Sequence, residues 1–267
     1  MTRPPHFLVS LFAALGLAAA VATLAPASPA SAGAPSGTPT AFTSQGYRGT
    51  GPLFPHGTSS RHSCTASVVM SASHDLIMTA AHCLSGSVNG WKFVPKYMAG
   101  AAPYGVWTVT ESYLPGPWLS NRDSHYDYAV LRVARQTVNG RSVGIQDVVG
   151  GYTVAAPRAG EAMRVPGYNG GLNDRPISCA VTGNSSGGYP YFNCHGYLGG
   201  TSGSPWLVEV GAPQREIHGL IGGFHQGGCY EYTSYSSPFN AQTQALVARA
   251  AAHQHPDIAP GPGGDGC

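Results

Sequence analysis

Short runs of β-branched and aromatic residues, each soon stopped by Gly, Pro, Asn, Asp or Ser, recur along most of this chain and constrain what it can fold into. Residues 64–71 and 76–81 flank the polar turn Ala72-Ser73-His74-Asp75. Residues 107–110 alternate, 128–133 read as a buried strand, and 161–165 alternate ahead of Pro166-Gly167-Tyr168. Residues 206–210 and 217–224 make a hairpin across Gly211-Ala212-Pro213-Gln214. Only residues 241–252 hold enough helix formers in succession to predict a helix. Many short strands and one late helix predict an all-β sandwich or barrel. The 37 glycines and 22 prolines supply the turns, and 42% hydrophobic residues can still fill a core.

Charged residues make up only 10% of the chain, and 14 Lys+Arg against 12 Asp+Glu leave a net charge of +2 with no basic run. Nothing in that balance favours nucleic acid as a partner. Residues 1–32 read as a secretory leader, with Arg3, an apolar stretch over 7–25 and a small-residue cleavage site at Ala30-Ser31-Ala32. A membrane anchor is the competing reading, because that stretch is just long enough to span a bilayer. Its dilution by Ala, Gly, Ser and Thr, and Pro26 and Pro29 before the cleavage site, favour removal. The expectation is a secreted, extracellular monomer with no membrane attachment once the leader is gone. In that oxidising setting the six cysteines point to disulfides. The chain has neither a C-x-x-C pair nor an H-E-x-x-H helix, so no metal and no cofactor are predicted. Residues 33–48 predict a flexible lead-in or short pro-segment, and 256–267 a linker-like tail.

Three segments carry chemistry: Thr79-Ala80-Ala81-His82-Cys83, Asp127-Tyr128-Ala129-Val130-Leu131 and Gly199-Gly200-Thr201-Ser202-Gly203-Ser204-Pro205. They offer a base, a carboxylate and a hydroxyl nucleophile. A serine hydroxyl needs a base in hydrogen-bond reach to remove its proton, and an imidazole suits that task near neutral pH. A carboxylate on the other ring nitrogen fixes the tautomer. Glycines beside Ser202 let the backbone turn so that the amides of Gly200 and Ser202 aim at a developing oxyanion.

These segments resemble those of the trypsin/chymotrypsin-type serine peptidases, in the secreted bacterial branch that includes glutamyl-endopeptidase-like enzymes. The order His82, Asp127, Ser202, with gaps of 45 and 75 residues, agrees with a compact member. The resemblance covers residues 49–250 and implies two packed antiparallel β-barrels, 49–153 and 154–255, the second ending in the helix, with a cleft between them. It implies protein or peptide substrates and a catalytic set of His82, Asp127 and Ser202, with Gly200 and Ser202 as oxyanion donors. It also implies a Cys64–Cys83 disulfide. Of the remaining cysteines, Cys179 and Cys194 flank a hairpin-like stretch and so favour a local bridge, which leaves Cys229 with Cys267; a Cys194–Cys229 bridge is the alternative.

The chain departs from animal members of the family at Thr201, where they carry an aspartate that pairs with a new N-terminal ammonium. Thr201 cannot form that pair, so the oxyanion loop is expected to rest on local turn hydrogen bonds. Gly196 stands where an acid would select Arg or Lys, and Ile221 where glutamyl enzymes place a histidine. The substrate pocket expected from this alignment comprises Gly196, Tyr197, Gly222, Gly223, Phe224 and His225. Two other functions fit the same residues: a catalytically silent binding module, and a hydrolase of non-peptide esters.

Overall fold

The computed structural model describes residues 1–2 and 33–267, so the leader and its cleavage site lie almost entirely outside the described residues. No described helix is long and apolar enough to cross a membrane. From Ala34 onward the strands are β1 (Phe42–Thr43), β2 (Thr50–Phe54), β3 (Cys64–Val68), β4 (Leu76–Thr79), β5 (Lys92–Phe93), β6 (Trp107–Tyr113) and β7 (Ala129–Val133). Then come β8 (Gln136–Val138), β9 (Arg141–Val143), β10 (Thr153–Val154), β11 (Ala162–Gly167), β12 (Ile177–Thr182), β13 (Asn184–Ser186) and β14 (Tyr189–Asn193). The last three strands are β15 (Pro205–Gly211), β16 (Gln214–Leu220) and β17 (Thr233–Tyr235).

Strands β2-β3-β4-β7-β6-β5 close into a barrel. Because side chains alternate along a strand, β4 and β7 serve two cores at once. Ile77, Ala129 and Leu131 fill the barrel with Leu53, Phe93 and Trp107. Leu76, Met78 and Val130 face the other way, against Leu207, Ile217 and Leu220 of the second half. That second half is a six-stranded sheet, β1-β12-β11-β15-β16-β10, with a three-stranded sheet, β13-β14-β17, beside it. Met163, Val165, Phe192, Trp206 and Ile221 pack together there. Ala241–Ala251 forms the helix expected near the end of the chain, capped by the Asn240 side chain. It packs Leu246 and Ala250 onto the shared core beside Tyr128, the residue after Asp127.

Several elements differ from the sequence reading. Phe42–Thr43, within the expected flexible lead-in, pairs with Ser178 and Ile177 on the edge of β12, and Thr40 bridges His195. Two short helices, Gly116–Asn121 and Ile145–Val149, are too brief to leave a periodic pattern; the first is started by prolines and stopped by Arg122 in the left-handed region. The second strand of the hairpin runs Gln214–Leu220 rather than on to residue 224. Beyond it Ile221 exchanges backbone bonds with Gly203 and Ser204 of the serine loop. The disulfides join Cys64 to Cys83, Cys179 to Cys194 and Cys229 to Cys267.

A buried histidine ties β16 to the start of β11. His218 is fully buried, its Nδ1 2.9 Å from Glu161 and its Nε2 2.9 Å from Glu216. Removing the ring takes a hydrogen-bond partner from both carboxylates and empties its site. His218→Ala is expected to cost about 1–3 kcal/mol, the scale for leaving buried hydrogen-bonding groups without a partner. Urea denaturation at neutral pH reads this, and a loss below about 1 kcal/mol would show that the histidine adds nothing.

Candidate active site

The buried strand β4 delivers its chain to a single 3-10 turn, Ala81–Cys83, which carries His82. The Cys64–Cys83 disulfide staples that turn to β3. Asp127 arrives at the start of β7 from another 3-10 turn, Ser124–Tyr126, and is wholly buried. Its backbone amide donates to Ser237 Oγ at 2.9 Å, and that hydroxyl donates to Ser124 O at 2.8 Å. Three N–H groups converge on its carboxylate: His82 N on Oδ1 at 2.8 Å, and His82 Nδ1 at 2.7 Å and Gly223 N at 2.8 Å on Oδ2. With Nδ1–H committed to Asp127, Nε2 is left as the acceptor nitrogen of the ring.

Ser202 lies on a tight loop between Tyr197 and β15. Its carbonyl accepts from Thr65 N at 2.8 Å, and the next residue seats against the histidine side. Gly203 has φ +81°, and a Cβ there would fall 2.2 Å from Thr65 O and 2.3 Å from Thr79 Oγ1. Only glycine allows so close an approach. Among the described residues no hydrogen bond joins Ser202 Oγ to His82 Nε2, and the amides of Gly200 and Ser202 have no acceptor. The two backbone donors named from the sequence are therefore unpaired among the described residues.

A cavity of about 190 Å³ adjoins Ser202, lined by Tyr197, Leu198, Gly199, Ile221, Gln226–Tyr230 and Glu231, among others. Of the six pocket residues expected from sequence, Tyr197 lines it. Tyr197 donates its hydroxyl to Val165 O, and burial raises its pKa. Gly196 sits behind Glu231, whose Oε2 accepts from Gly196 N at 2.9 Å. Gly222 abuts the Asp127 carboxylate and Gly223 donates to it. Phe224 and His225 turn away from the cavity: Phe224 packs on Tyr189 and Tyr235, and His225 Nδ1 bonds Asp265 O of the tail. The cause is local, since His225 and Gln226 both adopt left-handed φ values (50° and 53°) and reverse the chain. The alignment counted along an extended strand that has already ended.

Glu231 escaped the sequence reading, as did Thr65, Asn169 and Ser237. The Glu231 carboxyl is held below the ordinary carboxylate range, first by the Gly196 amide and then by His195, which lies 2.6 Å from Oε1. A lowered pKa gives stabilisation that is present above the unfolded-state value and lost as pH falls through the folded one. Glu231→Gln should therefore lower Tm at neutral pH and converge on wild type as pH falls below the ordinary carboxylate range; parallel curves would contradict the linkage. Two other close groups, Cys64/His82/Cys83 and His225/Cys229/Cys267, consist of disulfide sulfurs beside a histidine. Sulfurs so bonded offer no thiolate to a metal.

A closed barrel joined to a second β-sheet half, with His82 and Asp127 paired on the first and the Ser202 loop leading into β15 of the second, defines a chymotrypsin-like fold. Residues 64–212 match the trypsin-like peptidase domain, and the chain belongs to that family. Among solved structures it is similar to the protease Anisep from Arthrobacter nicotinovorans, at 27% identity and a TM-score of 0.67, covering 80% of this chain and all of that one. It is also similar to a Glu endopeptidase, at 18% identity and a TM-score of 0.64, covering 81% of this chain and 99% of that one. Human heparin binding protein shares the fold too, at 16% identity and a TM-score of 0.61, covering 82% and 99%. Comparison with the curated proteins gave no match.

Proposed function

We propose that this chain is a secreted serine endopeptidase that hydrolyses peptide bonds through an acyl-enzyme. Ser202 Oγ attacks the scissile carbonyl as His82 Nε2 takes its proton. The Gly200 and Ser202 amides receive the oxyanion, and the protonated ring, steadied by Asp127, returns the proton to the leaving amine. Water then repeats the sequence on the acyl-Ser202 ester. The observation that carries this reading is the buried His82–Asp127 hydrogen bond of 2.7 Å, set beside a serine loop with two free amides. A serine–histidine contact absent from the ligand-free site commonly tightens on substrate binding. Three disulfides agree with an exported protein.

Two measurements separate this from its rivals. Fluorophosphonate should label the protein covalently, and casein should be cleaved. An unlabelled protein would be a silent binding module. Labelling with hydrolysis of small esters but not of casein would make the chain an esterase on the same fold.

A further inference from the structure

The two oxyanion amides sit on a glycine-rich loop, and a loop of that composition does not hold its own geometry. What fastens it is the end of β11. Asn169 Oδ1 accepts from Leu198 N at 3.0 Å, and its Nδ2 donates to Gly196 O at 3.1 Å. The following amide, Gly170 N, donates to Gly199 O at 2.5 Å. Thr65 Oγ1 donates to Gly200 O at 3.1 Å while accepting from Tyr168 N at 3.1 Å. The fit leaves no slack: Gly200 has φ +104°, and a Cβ there would fall 2.1 Å from Gly170 N. Four of the five positions from 196 to 200, all but Tyr197, are thus bound to Thr65, Asn169 and Gly170. Within the loop itself, Thr201 Oγ1 and N both return to Leu198 O, at 2.7 and 3.1 Å. Thr201 therefore hangs from Leu198, and Leu198 is held by Asn169.

We propose that Asn169 is a positioning residue of this site. Its side-chain amide, with Thr65 as second anchor, sets the direction of the Gly200 and Ser202 amides. This rests on the serine-peptidase reading above. Asn169 touches no reacting atom and acts through Leu198 and Gly196.

The test measures kcat and KM of Asn169→Ala per active site, with sites counted by fluorophosphonate titration. Losing the aim of one donor should lower kcat at least about thirtyfold, towards the hundredfold scale of removing such a donor outright. KM should stay within about threefold, because ground-state binding does not use the hole. A residue that merely stabilises the loop would reduce the fraction of titratable sites and leave kcat per site within threefold of wild type, and that result overturns the proposal. If Asn169→Ala does not fold, Thr65→Val against Thr65→Ser decides. The hydroxyl-free variant should lose kcat per site and the serine variant recover it, whereas equal values in both overturn the proposal. Wild-type protein that neither hydrolyses peptides nor labels would instead sink the peptidase reading itself.

Discussion

Ser202→Ala is expected to lower kcat about 10⁶-fold, the scale reached when the nucleophile of such a set is removed, and to abolish fluorophosphonate labelling. The loop holds a second hydroxyl two residues on, but Ser204 is fully buried and its Oγ has no partner among the described residues. Gly167 stands directly against it, close enough that a Cβ there would fall 2.3 Å from that oxygen. Ser204 therefore cannot take over as nucleophile. Peptide mapping of the labelled wild-type protein should find the adduct on Ser202 alone. An adduct on any other serine, or a labelled alanine variant, would refute the assignment.

Asp127→Asn should lower kcat about 10⁴-fold with little change in KM. The reason lies in donor counting. The carboxylate meets three N–H groups, two of them from His82. An asparagine has one oxygen to offer and places an NH₂ where the second oxygen was. If that NH₂ faces the ring, Nδ1 must become the acceptor, and Nε2 then carries the proton and cannot take one from Ser202. Asp123→Asn is the control. This carboxylate, four residues earlier, accepts from His125 N at 3.0 Å and is partly exposed. The variant should keep kcat within about threefold of wild type. Equal losses in the two variants would mean that Asp127 does not orient the base.

His82, Asp127 and Ser202 were legible because each sits in a short motif whose neighbours do local work. Ala80 and Ala81 let the histidine turn pack, Tyr128 and Val130 anchor the aspartate strand, and Gly203 admits Thr65 and Thr79. The supporting residues left no such trace. Asn169 reaches its partner across 29 residues, Ser237 across 110 and Thr65 across 135. An asparagine after Pro166-Gly167-Tyr168 looks like any turn residue until the fold brings Leu198 to it. The same holds for β1, whose attachment to β12 is made by backbone groups and so is indifferent to its Ala-, Pro- and Ser-rich composition. The expected pocket and the cavity beside Ser202 share only Tyr197, because the course of the chain past Phe224 depends on two left-handed residues, His225 and Gln226, that are not of a type to advertise it. Cys179 and Cys194 lie at the two ends of a hairpin-like stretch, which favoured the bridge between them but left Cys194–Cys229 open until the fold placed Cys229 beside Cys267.

Thr65 belongs to the barrel half, yet its hydroxyl and its amide donate to the carbonyls of Gly200 and Ser202, while its neighbour Cys64 is covalently joined to the residue after His82. The His82 turn and the Ser202 loop are therefore both tied to one short length of backbone, although they lead into different halves. A change that displaces this stretch of β3, at Cys64 or Thr65, is felt on the His82 turn and on the Ser202 loop at once.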